Sequence, residues 1–221
     1  MSTKDTLAAR ISDDLARSDI TSQINSAIDD AIESWKCTRF AFNETRAVTF
    51  TTTAAQSIYT VADNGNIPLF FNIDGMYCTP SGGTAKWMGP KSDFDETHDL
   101  ILTAAGTGEP YRWSWFDRSI YLYPIPDVST YSMRVIGAIE KAGPATGPET
   151  DNVWLLECFS LLRAHAKGLV YLHTTQNPAM AMAMLGPNFD GRGGVAGAAY
   201  KKLRRETTDK RALGVITPSA F

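Results

Sequence analysis

Hydrophobic residues in this chain recur with a helical period at both ends and with a period of two in between. A segment with the helical period does not suit a strand, and a segment with a period of two does not suit a helix. This order of patterns therefore strongly limits the possible folds. The clearest helical stripe consists of Ile20, Ile24, Ile28, Ile32 and Trp35. A narrower stripe within residues 4–17 predicts a second helix before it, and Ser18 or Asp19 is suited to cap the start of the longer one. The N-terminal region is therefore expected to be two helices joined by a tight turn.

From residue 40 to residue 139 the pattern favours strands. Phe40 and Phe42 alternate, and in residues 47–53 Val48 and Phe50 would share one strand face with threonines on the other. Six or seven short strands at regular spacing predict an antiparallel β sandwich or a small barrel. One helix is expected inside this region, over residues 93–102 with Ser92 as its cap.

Helical patterns return after a Gly- and Pro-containing linker at residues 143–148. Asp151 or Asn152 is positioned to cap one long helix over residues 153–174, and a last helix is expected over residues 195–211. The predicted fold class is α+β, in which a helical bundle carries an inserted antiparallel β sandwich or barrel-like domain and an extended C-terminal tail. The expected boundaries are 1–39, 40–142, 149–212 and 213–221.

Composition and motifs argue against an enzyme. The 221 residues carry a net charge of -3, which excludes a strong overall attraction to nucleic acid. Cys37, Cys78 and Cys158 lie too far apart in sequence for a metal or disulfide framework. The cysteine pattern fits synthesis in a reduced cytoplasm, and nothing resembles a secretory signal or a membrane helix.

Two weak motifs have simpler structural interpretations. The run Gly191-Arg-Gly-Gly-Val-Ala matches a dinucleotide-binding pattern but lacks a preceding strand, so a hinge between helices is favoured. Cys158 and His165 are seven residues apart, so they share one helix face. Two helical turns separate them, which is too far for a catalytic pair. We therefore expect no catalytic site, no metal and no cofactor.

The C-terminal region has an unusual charge distribution. A basic run over residues 200–211 precedes residues 213–221, which have no charged side chain. A solvated tail is normally polar, so this segment is expected to dock on a neighbouring molecule. Its candidate docking residues are Leu213, Val215, Ile216 and Phe221. The candidate electrostatic contacts are Lys201, Lys202, Arg204 and Arg205, together with the acidic residues Asp29 and Asp30 near the other end.

The β region suggests an alternative function, carbohydrate binding. Trp113 and Trp115 share one face of a predicted strand and could form a stacking platform for a sugar ring. Aromatic packing inside a β domain accounts for the same pattern, and burial of both indoles would exclude the platform. A hydrolase with an unrecognised site has no candidate residues.

The order of these parts resembles that of head–tail adaptor proteins of tailed bacteriophages. The resemblance is carried by residues 13–32, by Arg39-Phe-Ala-Phe-Asn-Glu, by Ser119-Ile-Tyr-Leu-Tyr-Pro-Ile-Pro-Asp and by the helix start at residues 152–156. It implies a structural protein of the virion, in a ring usually of twelve copies beneath the portal protein. Tail or nozzle proteins would bind below the ring, DNA would pass through its bore, and the C-terminal segment would reach into the portal.

Overall fold

A computed structural model describes residues 3–64, 67–104, 106–145, 147, 149 and 151–212. The chain divides into two compact units: a helical unit of residues 1–42 and 141–221, and a β unit of residues 43–140. The mixture of helices with antiparallel sheets predicted from the sequence is confirmed. The four domain boundaries drawn from the sequence stay a prediction.

The helices and strands follow one another in the order helix, sheet, helix. Within the described residues the helices are α1 (Lys4–Leu15), α2 (Thr21–Trp35), α3 (Val61–Asn64), α4 (Phe94–Thr103), α5 (Val153–Glu157), α6 (Phe159–Leu169), α7 (Pro178–Leu185) and α8 (Gly194–Ala212). A 3-10 turn covers Ala41–Asn43, and a π-helical turn covers Val170–Thr174. The strands are β1 (Glu44–Thr51), β2 (Ile58–Tyr59), β3 (Phe70–Thr79), β4 (Lys86–Trp87), β5 (Arg112–Phe116), β6 (Ser119–Tyr123) and β7 (Ser132–Ile139).

The helical unit is built on the stripes that the sequence predicted. The stripe of α2 is buried from Ile24 to Trp35, and Leu7 and Ile11 of α1 join it in one core with the apolar faces of α5 and α6. Burial of apolar area at about 25 cal/mol per Å² stabilises helices this short, which would be marginal alone.

The predicted cap of α2 is wrong. Ile20 precedes the helix and makes no capping hydrogen bond through its side chain. The Asp19 carboxylate instead accepts hydrogen bonds from Arg17 Nε at 2.6 Å and Arg17 Nη2 at 2.7 Å. This charged pair occupies the side chain that would otherwise reach the free amides of the helix.

The single helix predicted over residues 153–174 is also wrong. The chain leaves helical geometry at Cys158, with φ -109° and ψ 10°, and it ends in the π-helical turn. Trp154 before the break and Leu161 after it are both buried, so the apolar period continues across the interruption. Periodicity alone therefore could not reveal it.

Phe40 and Phe42 belong to the helical unit and do not begin a strand. Their rings stack at 5.3 Å and both contact the ring of Trp154, at 6.4 Å and 5.2 Å between centroids. Alternation over three residues also fits a tight turn that directs two rings to one core, and β1 begins only at Glu44.

The β unit consists of two antiparallel sheets. The four-stranded sheet has the order β1-β7-β3-β4, and the three-stranded sheet has the order β2-β6-β5. Side chains from one face of each sheet form a common core, in which Met133, Met76, Trp113 and Leu122 are fully buried. The strands that the structure describes form two separate sheets, so the barrel-like arrangement expected from the sequence is not a closed barrel.

Helix α4 confirms the predicted helix of the β region but corrects its cap. The Asp93 carboxylate, and not Ser92, accepts hydrogen bonds from the amides of Asp95 at 2.9 Å and Glu96 at 3.3 Å. A carboxylate at this position also interacts favourably with the positive end of the helix.

Candidate interaction surfaces

Helix α8 presents the basic surface that the sequence predicted. Lys201, Lys202, Arg204 and Arg205 are all exposed, and none of them forms an ion pair with a residue that the structure describes. Their positions span less than half of the helix circumference, so they form one face. Lys210 differs, since its Nζ lies 3.9 Å from Glu157 Oε2. The basic face is thus a local concentration of positive charge whose four side chains form no close ion pair within the described part of the chain.

The opposite side of α8 is fixed by aromatic packing. Tyr200 stacks on Trp35 at 4.8 Å, and the Thr207 hydroxyl accepts a hydrogen bond from the Ala41 amide at 3.0 Å. Gly197 lies so close to the preceding loop that a Cβ atom would stand 2.2 Å from the Arg192 carbonyl oxygen. These contacts hold the helix in one rotation about its axis, which keeps the basic face outward.

The two candidate acidic residues on α2 have different surroundings. Lys4 Nζ donates to Asp29 Oδ1 at 2.7 Å and to Oδ2 at 2.9 Å, and the lysine side chain is buried. Asp30 is exposed and has no ion pair among the described residues. The charge of Asp29 is therefore largely balanced within the subunit, whereas that of Asp30 is available to a partner.

The candidate docking residues Leu213, Val215, Ile216 and Phe221 lie outside the described residues. The last described residue of α8 is Ala212, so the segment follows the basic face directly in sequence.

The buried histidine and cysteine are packed in the core. Trp35 Nε1 donates to His165 Nδ1 at 2.7 Å, and burial lowers the pKa of His165 to about 4 despite the nearby Asp190. Burial raises the pKa of the Cys158 thiol to about 12. A thiol with this pKa stays protonated at neutral pH, so these two groups are not an activated nucleophile and base.

The glycine-rich run around Gly191 is not a dinucleotide-binding loop. It follows helix α7, and a Cβ atom on Gly191 would stand 2.6 Å from His165 Nδ1. The glycines here allow a close approach of backbone to core, with Gly191 at φ 73° and Gly194 at φ 54°. The dinucleotide pattern needs a strand before the glycines, and the element before them is a helix.

The described residues hold no group of three His, Cys, Asp or Glu side chains that could bind a metal ion. Every helix in the described part of the chain is too short or too polar to cross a membrane.

The indole pair suggested for carbohydrate binding does not form an exposed platform. Trp113 is fully buried and donates from Nε1 to the Gly89 carbonyl at 3.2 Å. Trp115 packs partly against the same core. Sequence correctly placed the two rings on one strand face, but this face is directed inward.

A different aromatic surface was missed. On the outer face of the four-stranded sheet, Trp87, Tyr77 and Arg134 lie side by side in register on β4, β3 and β7. The ring centroids of Trp87 and Tyr77 are 5.0 Å apart, and the Arg134 guanidinium lies 4.6 Å from the centre of the Tyr77 ring. The Trp87 ring covers Gly75, where a Cβ atom would stand 1.8 Å from the indole. We call these four residues the aromatic row.

A second exposed surface lies on the outer face of the three-stranded sheet. Helix α4 packs there, with Phe94 stacked on Phe116 at 4.2 Å and edge-on to Tyr121 at 5.0 Å. Exposed apolar and acidic side chains surround this packing, and we call the following set the α4 surface: Ile58, Leu102, Phe116, Asp95 and Asp99.

The sequence contained a weak signal for the aromatic row. Gly75 and Tyr77 are two residues apart in a long apolar run, so they share a strand face, and glycine within a strand often marks a close approach. Trp87 lies over that glycine because β4 pairs with β3, and strand pairing cannot be predicted from the local sequence.

Comparison with known proteins identifies the family. Among curated proteins none matches the chain significantly. The model of the family described as SU10 adaptor protein matches residues 2–214. Since this match covers nearly the whole sequence, the chain belongs to the SU10 adaptor protein family of phage structural adaptors.

Proposed function

We propose that the protein is a structural adaptor at the head–tail junction of a tailed phage. In this proposal it forms a cyclic ring of twelve copies between the portal protein and the tail or nozzle proteins. The observation that carries the proposal is the family match over residues 2–214. Families of this kind are generally non-enzymatic, which agrees with the inert surroundings of His165 and Cys158.

Docking to the portal is assigned to the C-terminal region. The uncharged segment with Leu213, Val215, Ile216 and Phe221 would bury its apolar side chains on the portal. Ordering such a segment costs about 1–2 kcal/mol per residue in backbone entropy, so backbone pairing and many copies acting together must contribute.

The charged residues supply a second type of contact. The basic face of α8 would meet acidic groups of the portal or of a neighbouring subunit, with Asp30 and to a lesser degree Asp29 as the acidic counterpart on α2. Complementary charges of this kind accelerate association and fix the orientation of partners.

Passage of DNA through the ring fits the overall charge. A protein that neutralises many phosphates binds DNA tightly, which would oppose sliding. With a net charge of -3, the chain carries no such overall attraction.

The test is the assembly state of the purified chain alone and with the phage's portal protein. Analytical ultracentrifugation and negative-stain electron microscopy should show a ring of copies, or a monomer that forms a ring on the portal. Deleting residues 213–221 should leave the helical content and melting temperature unchanged and abolish portal binding.

A charge-reversal variant tests the basic face separately. Lys201→Glu with Arg204→Glu and Arg205→Glu should weaken assembly. The matched control replaces Lys201 by Arg and replaces Arg204 and Arg205 by Lys. This control keeps the charge and should assemble normally. A chain that stays monomeric with portal present contradicts the ring, and unchanged portal binding after the deletion contradicts the role of residues 213–221.

A further inference from the structure

We propose that neighbouring copies in the ring associate through their β units, with the aromatic row of one copy against the α4 surface of the next. This inference rests on the ring in the proposed function and names the surfaces that would form it. Both surfaces belong to the β unit, on opposite sides of its core.

The aromatic row has the composition and rigidity of an interface centre. Trp, Tyr and Arg are the residue types enriched among those that dominate binding energy. Trp87 is 49% exposed even though Gly75 and Tyr77 hold its ring in place. A large aromatic side chain that is already ordered loses little entropy when a partner covers it. The row is thus prepared to bind a surface and is incompletely buried within the subunit.

The α4 surface supplies the apolar counterpart. Leu102 is 68% exposed, Phe116 54% and Ile58 40%. The Phe116 ring is positioned by its stack on Phe94, so it is exposed on one side and fixed on the other. Clusters of exposed apolar side chains on ordered elements mark interaction sites more often than single ones do.

Charge determines which pairing of the surfaces is favourable. Arg134 on the row is exposed and has no ion pair with a described residue, and the same is true of Asp95 and Asp99 on the α4 surface. If the aromatic rows of two copies met, two Arg134 side chains would lie together. If two α4 surfaces met, their carboxylates would lie together. When the aromatic row of one copy meets the α4 surface of the next, Arg134 lies opposite carboxylates, so head-to-tail association is preferred.

Head-to-tail association also has the symmetry that a ring requires. An interface between two different patches of the same protein is repeated by every added copy and closes into a ring when the rotation allows it. An interface between identical patches would stop at a dimer. The two surfaces on opposite sides of one β core therefore fit a cyclic assembly.

Thiol cross-linking of the portal-bound assembly tests the arrangement. The background variant is Cys37→Ser, which removes the exposed cysteine while Cys78 and Cys158 remain buried. Ser132→Cys introduces a thiol two residues from Arg134, and Thr103→Cys introduces one next to Leu102. With a short bis-maleimide, a chain carrying both substitutions should form a ladder of covalent oligomers. An equimolar mixture of the two single variants should stop at dimers.

The controls separate this inference from the proposed function. Each single variant alone should remain uncross-linked. Self-cross-linking of either single variant would overturn the head-to-tail arrangement. An assembled ring without a ladder would overturn the inference and leave the proposed function intact, whereas absence of any assembly would overturn both.

Charge exchange provides an independent check. Arg134→Glu should weaken association between copies by about fivefold, the order expected of an exposed ion pair. Adding Asp95→Lys and Asp99→Lys to that variant should restore the association. Failure of the combination to recover it, with the melting temperature unchanged, would contradict the assigned pairing.

Discussion

At the scale of single residues, burial of His165 against Trp35 gives the stability of the helical unit a dependence on pH. Trp35 Nε1 donates to His165 Nδ1, so the neutral imidazole carries its proton on Nε2. Protonation would put a second donor opposite the indole N–H in a buried site. Burial of the imidazole away from water lowers the pKa of His165 from 6.5 to about 4, against the opposing effect of the Asp190 carboxylate.

Folding stability should fall when the pH is lowered. Between pH 6.5 and about 4 the unfolded chain binds a proton at His165 that the folded chain does not bind, so the folded state loses stability over this window. The loss approaches about 3 kcal/mol and is absent above pH 7. Urea unfolding of the wild type and of His165→Gln should show it as a difference in pH dependence. Equal slopes for both proteins would contradict the assignment.

At the scale of elements, helix starts depend on which of several polar residues faces the free amides. Sequence left Asp151 and Asn152 open as caps of the helix near residue 153. Asn152 takes this position, because its Oδ1 accepts from the Trp154 amide at 3.1 Å and its amide donates to the Ala142 carbonyl at 3.2 Å. One side chain thus begins α5 and also holds the preceding loop against it.

Asn152→Ala should destabilise the protein by about 1–2 kcal/mol, the usual cost of losing a helix cap. Asn188→Ala is the matched control, since Asn188 is exposed and is not at a helix start. Thermal unfolding should show a lower midpoint for the first variant and an unchanged one for the second. Equal midpoints would show that the cap contributes little.

At the scale of the whole molecule, each unit has its own hydrophobic core. The core of the β unit is formed by side chains from Phe50 to Val135, all of which lie within residues 43–140. A continuous segment with its own core fits a domain inserted into a helical protein.

A protein consisting of residues 43–140 should fold alone. It should show a strand-rich circular dichroism spectrum, blue-shifted emission from buried Trp113 and a cooperative thermal transition. The matched control, Trp113→Ala in the same segment, removes a fully buried ring and should abolish that transition. A disordered wild-type segment would contradict the prediction.

Local patterns predicted the elements but not their junctions. The stripe from Ile24 to Trp35 identified α2 because an apolar repeat sustained over several helical turns fits an amphipathic helix and does not fit a strand. The break at Cys158 and the true position of Phe40 were missed because apolar side chains continue through both. Caps were uncertain where several polar residues were adjacent, as at Ser92 and Asp93.

The sequence by itself determined that helices flank antiparallel strands, that a basic helix face precedes an uncharged segment, and that catalytic motifs are lacking. These features depend on the order and type of residues along the chain, which local periodicity and charge reveal. Only the tertiary structure decided that Trp113 faces inward while Trp87 lies exposed over Gly75. The reason is physical: which face of a strand is buried depends on its partners across the sheet and the core, and those partners are distant in sequence.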